Sequence, residues 1–176
     1  PSLIGAGGVE TGFAATRSLC VGIALFGAVL GELGADTSGL LAAIDSSKEP
    51  DIAQAADLLV GVRSIVTSGR QLRGLAEALA LGFAELARLP CFALESGQFR
   101  HGPMEMLGPD LGAVFFRGAD ATGDRVRALA EAVAVAGART IVLDASGEQP
   151  ASGCLTISAV RHEGLAELSA LLPILQ

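Results

Sequence analysis

The most apolar segment of the chain, "SLCVGIALFGAVLG", fills residues 18–31 between Arg17 and Glu32 and carries no polar stripe. Ala, Leu and Gly dominate it, so the pattern predicts a helix over residues 16–33 that is buried all round. It is shorter than the roughly 18 to 20 apolar residues of a membrane span. "GELGADTSGLL" breaks this helix, and "EPDIAQAADLLV" reads as a short helix opened by Pro50 and Asp51. "SIVTS" is a β-rich run ending at Gly69. Leu72, Leu75, Leu79, Leu86 and Leu89 then recur at helical spacings, predicting one long helix over residues 71–89 that Pro90 stops. "CFAL", "AVFF", "TIVLD" and "CLTISAV" read as buried strands, with helices over residues 123–136 and 163–172.

Unbroken apolar strands alternating with helices predict an α/β, doubly wound, mainly parallel sheet covered on both faces. In such sheets ligands lie beyond the carboxyl ends of the strands, so the loops after Ser68, Leu94 and Phe116 are where chemistry is expected.

Composition narrows the possibilities. A hydrophobic content of 51% over 176 residues suits one core. The net charge of −7 argues against nucleic acid or an anionic membrane as partner, because either selects clustered Lys and Arg. Cys20, Cys91 and Cys154 are scattered and lack metal-ligand spacing, which reads as small buried hydrophobes in a reduced cytoplasm. No secretory signal pattern opens the chain.

Few motifs carry chemistry. "GAGGVETG" invites a dinucleotide reading, but Glu10 stands where the third glycine belongs and would repel a pyrophosphate. The helix that follows could still hold a small phosphate on its free N–H groups. Glu85 lies between Leu81 and Leu89 at four-residue spacing, so it is either a carboxylate partly desolvated by leucines and suited to act as a base, or a solvated partner of Arg88. Glu77 is a weaker candidate of the same kind. In "ESGQFRHGPMEMLGP", Gly102-Pro103 fixes the backbone behind His101, which is either a titrating site residue or a turn filler. Glu95 and Glu105 read as solvated flanks, and His162 as a cap on the last helix.

Two of these stretches resemble a known family. "ETGFAATRS", running into a long apolar helix, is similar to the "E-x-G-V-A-S-T-K" segment of sugar isomerase (SIS) domain proteins. "AEALALGFAELARLPCFALESGQFRHGPMEML" resembles the helix-to-"G-E-L-K-H-G-P" region in the second SIS domain of glucosamine-6-phosphate synthase and its relatives, without a gap between the glutamate and the His-Gly-Pro. The resemblance implies a flavodoxin-like fold. It assigns residues 1–35 to the end of a first SIS domain with its linking helix, and residues 36–176 to a second SIS domain without its C-terminal tail.

The same resemblance implies roles. Glu85 matches the glutamate that moves a proton between C1 and C2 of an open-chain sugar phosphate. His101 matches the histidine that assists ring opening in the site of a neighbouring subunit. Phe13 and Ala15 match positions lining the sugar site. The implied protein is a cytoplasmic homodimer, without cofactor or metal, acting on hexose or amino-sugar 6-phosphates by aldose–ketose isomerisation, with amino transfer or deamination as possible extensions. Gly82, Gln98 and Ala15 depart from the family's lysine, glutamate and serine. These departures keep open the alternative of a non-catalytic, phosphosugar-binding regulatory module.

Overall fold

The structure is a computed structural model that describes residues 8–12, 16–46, 50–162 and 164–172. Its centre is a five-stranded, all-parallel sheet in the order β2-β1-β3-β4-β5. The strands are β1 (Ser64–Gly69), β2 (Cys91–Glu95), β3 (Leu111–Arg117), β4 (Arg139–Asp144) and β5 (Leu155–Ser158). The helices are α1 (Thr16–Glu32), α2 (Ser38–Ser46), α3 (Ala53–Leu59), α4 (Arg73–Gly82), α5 (Ser96–Arg100), α6 (Gly123–Val135) and α7 (Leu165–Leu171). This is the doubly wound, flavodoxin-like arrangement expected from the alternation of elements.

Strand alternation separates two cores. Ile65, Val114, Phe116, Ile141 and Leu143 point to one face, where α3, α4 and α7 cover them through Ala55, Leu75, Ala76 and Leu171. Val66, Ala113, Phe115 and Val142 point to the other, under Phe99 of α5 and Val126, Leu129, Ala130 and Val133 of α6. Phe99 stacks on Phe115 with ring centroids 6.0 Å apart. Each fully buried side chain of this kind contributes roughly 1.5–3 kcal/mol by leaving water.

Three local expectations need correction. The break after α1 holds a further helix, α2: Asp36 accepts from the Ser38 amide at 3.0 Å and the Ser38 hydroxyl at 2.7 Å, turning the chain into it. α1 itself is not buried in the single chain. Phe26 is 73% exposed and Leu19 and Val29 are also exposed, while Cys20 and Ile23 pack against the core. The long helix predicted over residues 71–89 stops at Gly82, because Phe83–Ala87 widen into a π turn and Arg88 ends it in the left-handed region at φ 54°.

Candidate functional site

Glu85 sits inside the π turn. A π turn closes its bonds to i+5, so it moves the side chains off the i, i+4 stripe that sequence spacing assumed. Glu85 is exposed, it forms no ion pair with Arg88 among the described residues, and the Leu81 beside it is 59% exposed. The leucines do not enclose the carboxylate, and of the second reading only the solvation holds: Arg88, turned by its left-handed backbone, does not pair with it.

His101 is the residue after α5, and its N–H donates to the Gln98 carbonyl at 3.1 Å. Gly102, at φ 101°, reverses the chain, and Pro103 opens a 3₁₀ turn over Pro103–Met106, where its missing N–H costs nothing. The imidazole is exposed. Its mount is built by Glu95, which is not the solvated flank expected. The Glu95 carboxylate accepts from Gly97 N at 2.7 Å and Gln98 N at 3.3 Å and from Arg70 Nε at 3.0 Å, while Gln98 Oε1 accepts from Glu95 N at 3.3 Å. Burial alone would raise the Glu95 carboxyl, but these N–H donors and the Arg70 guanidinium outweigh it and hold it below the usual carboxylate range. The reciprocal pair is a capping box, in which Gln98 is the partner that reaches back to the Glu95 amide.

Within one chain Glu85 and His101 are not brought together. The π turn belongs to the face covered by α4 and leads into the amino end of β2, whereas His101 follows α5, on the opposite face, beyond its carboxyl end. Phe13 and Ala15 lie outside the described residues. Beside them, Glu10 accepts from Arg17 N at 2.8 Å and Ser18 N at 3.0 Å, so the glutamate that spoils the dinucleotide motif caps the start of α1. The amides before them, at residues 13–15, where a phosphate was expected, lie outside the described residues. His162 does not cap the last helix; Gly164 is the residue before α7, without a side-chain cap.

Sequence reasoning missed the groups that shape the loops at the carboxyl ends. Arg117, 1% exposed, donates to Asp144 Oδ2 at 2.9 Å, to the Gln149 carbonyl at 2.7 Å and to the Gly123 carbonyl at 3.2 Å, tying together the loops after β3 and β4. Glu167 of α7, 6% exposed, accepts from Ala119 N at 2.6 Å. It borders a cleft of about 410 Å³ with Gln71, Leu72 and Asp120, beyond the carboxyl ends of the neighbouring strands β1 and β3. The available signal was Glu167 itself, standing among the apolar residues of "LAELSALL".

Burial raises the Glu167 carboxyl above its ordinary value, against the lowering effect of the Ala119 N–H. A raised carboxyl binds more protons folded than unfolded, so stability falls as pH rises from the ordinary glutamate range through the folded value. Glu167→Gln is expected to keep the bond to Ala119 and remove this loss. Denaturant midpoints at acid and neutral pH should then differ less than in the wild type; an unchanged difference would place the pH dependence elsewhere.

Among the described residues no three His, Cys, Asp or Glu side chains are grouped to hold a metal, and no helix is long and apolar enough to cross a membrane. No family model matches the chain, and no curated protein sequence matches it significantly.

Solved structures do match. The C-terminal domain of glucosamine-fructose-6-phosphate aminotransferase from Francisella tularensis superposes with a TM-score of 0.73 at 17% identity, over 96% of this chain and 53% of that one. Tagatose-6-phosphate ketose/aldose isomerase from Escherichia coli gives 0.72 at 22% identity, over 93% of this chain and 49% of that one. The chain has the SIS-domain fold. Glucosamine-6-phosphate deaminase from Thermotoga maritima is more distant, with a TM-score of 0.51 at 14% identity, over 76% of this chain and 36% of that one. The chain spans about half the length of the first two structures.

Proposed function

We propose that this SIS-fold chain is part of a phosphosugar isomerase acting on hexose or amino-sugar 6-phosphates through an enediol(ate). The observation that carries the reading is Glu85 and His101 together, at the spacing of the SIS family, on a fold shared with a ketose/aldose isomerase and an aminotransferase. Glu85 is the base that lifts and returns the C2 proton, and His101 protonates the ring oxygen of the cyclic sugar. Phe13 and Ala15 line the sugar. Residues 1–35 close a first SIS domain and residues 36–176 form a second.

The separation of Glu85 from His101 within a chain supports a shared site. In a homodimer, His101 of one copy serves Glu85 of the other, and the exposed Leu81, Leu86 and Phe26 give such an assembly apolar surface to cover. The test is solvent-deuterium exchange at C2 of fructose 6-phosphate or glucosamine 6-phosphate with the full-length protein. Glu85→Gln and His101→Asn chains, each inactive on the cyclic sugar, are expected to recover about a quarter of wild-type turnover when dissociated and reassociated at equal amounts. Half of the two-fold dimers are then hybrids, with one of two sites intact. No recovery would mean that both residues act within one chain or that neither acts.

A regulatory module that binds phosphosugars without turning them over is the second reading. Gly82, where the synthases have a lysine, and the exposed Glu85 favour it. Sugar-phosphate binding without C2 exchange would select it.

A further inference from the structure

Arginines are few in this acidic chain, and most are engaged. Arg63, Arg70, Arg73, Arg117, Arg127 and Arg161 form ion pairs, and Arg17 and Arg139 donate to backbone carbonyls. Among the described residues, the side chains of Arg88, Arg100 and Arg125 do neither. Arg100 and Arg125 border the same cleft, of about 380 Å³, between α5 and α6 at the carboxyl end of β1. Arg70 and the buried Ser96 also line it.

We propose that the cleft framed by Arg70, Ser96, Arg100 and Arg125 binds a phosphomonoester, at a site that the Glu85 of the same chain does not reach. Three arginines line the cleft with one carboxylate, Asp124, and the neighbouring Glu95 carboxylate is already bound. Glu95 is bound to Arg70 Nε and two amides; Asp124, at the rim, lies 3.5 Å from Arg127 and 3.8 Å from Arg117. The Glu95 pair fixes Arg70 while leaving its two Nη groups to donate. Ser96 Oγ, 3.4 Å from Ser68 Oγ, is beyond the usual length of an O–H···O bond, so a better acceptor can take its proton. The Gly97 amide is already spent on Glu95 and adds nothing.

A phosphomonoester near neutral pH is close to a dianion with three acceptor oxygens, which suits forked guanidinium donors and one hydroxyl. A polyanion is disfavoured by the net charge of −7, whereas a small ester feels mainly these local arginines. The cleft has the volume of an ordinary small-molecule site. It lies at the carboxyl end of β1 beneath α5 and α6, while Glu85 belongs to the other face and the other end of the sheet. A six-residue strand is roughly 20 Å long, so one hexose phosphate cannot touch both within a chain. The proposal therefore stands whether or not Glu85 is a base.

The test is calorimetric titration of the full-length protein with inorganic phosphate and, separately, with fructose 6-phosphate. Arg125→Gln and Arg100→Gln remove exposed side chains without internal partners, so folding should be unaffected. Each is expected to weaken binding at one site per chain at least tenfold, while Arg88→Gln, an unpaired arginine outside the cleft, leaves it unchanged. The better binder tells a sugar ester from free phosphate. Equal weakening by Arg88→Gln would reduce the effect to general charge and overturn the proposal, and so would unchanged binding in both cleft variants. Because binding is read without turnover, a failed exchange assay and a failed titration remain distinct.

Discussion

Glu85→Gln should abolish deuterium exchange at C2 of fructose 6-phosphate while leaving the binding constant for the sugar phosphate within a few-fold of wild type. The amide keeps the shape and hydrogen-bonding reach of the carboxylate but cannot accept the proton, and loss of a positioned general base typically costs roughly 10²–10⁴-fold. The π turn that carries Glu85 makes this variant a clean one: the side chain is exposed and bonds to no other group among the described residues, so the fold does not depend on it. Glu95→Gln provides the contrast. It weakens the Arg70 ion pair and the cap beneath His101, so it should lower stability and slow turnover of the cyclic sugar more than exchange on an open-chain ketose. Retained exchange in Glu85→Gln, combined with its loss in Glu95→Gln, would move the base from the π turn to the loop after β2.

The same two glutamates show what the sequence could and could not reveal. Strands were legible because both faces of a parallel sheet are covered, so "AVFF" and "TIVLD" stay apolar without alternation. Helix existence was legible from leucine spacing, but not the switch to π geometry after Gly82, which no periodicity announces. The short α5 was missed because its signal is a capping box with Glu in the first position instead of Ser or Thr. α2 was not legible because the turn residues Gly34, Asp36 and Thr37 precede "SGLLAAI", which is too short to show a helical period. Glu85 and His101 were candidates from spacing and took their roles from the resemblance, whereas the cleft between α5 and α6 depends on Arg70, Arg100 and Arg125, three positions scattered in sequence that the topology brings together.

Asp144→Ala should lower stability by about 3–5 kcal/mol, the range for removing one partner of a buried ion pair. Arg117 is 1% exposed, and without Asp144 its charge would keep two carbonyls and a distant Asp124, 3.8 Å away at the surface. Neither carbonyl neutralises a guanidinium out of water. For a domain of this length the loss corresponds to a fall in Tm of roughly 6–20 °C. The cost belongs to the orphaned charge rather than to the pair, so a second substitution should repair it. Arg117→Met combined with Asp144→Leu removes both desolvation penalties and fills similar volume, and replacements of that kind are often neutral or stabilising by about 1–4 kcal/mol. The double variant is therefore expected to melt well above Asp144→Ala, although it has lost more hydrogen bonds. Strict additivity, with the double melting below either single, would mean that Arg117 stabilises chiefly by holding the Gly123 and Gln149 carbonyls. In that case the loops after β3 and β4 are organised by backbone capture, and the carboxylate is secondary.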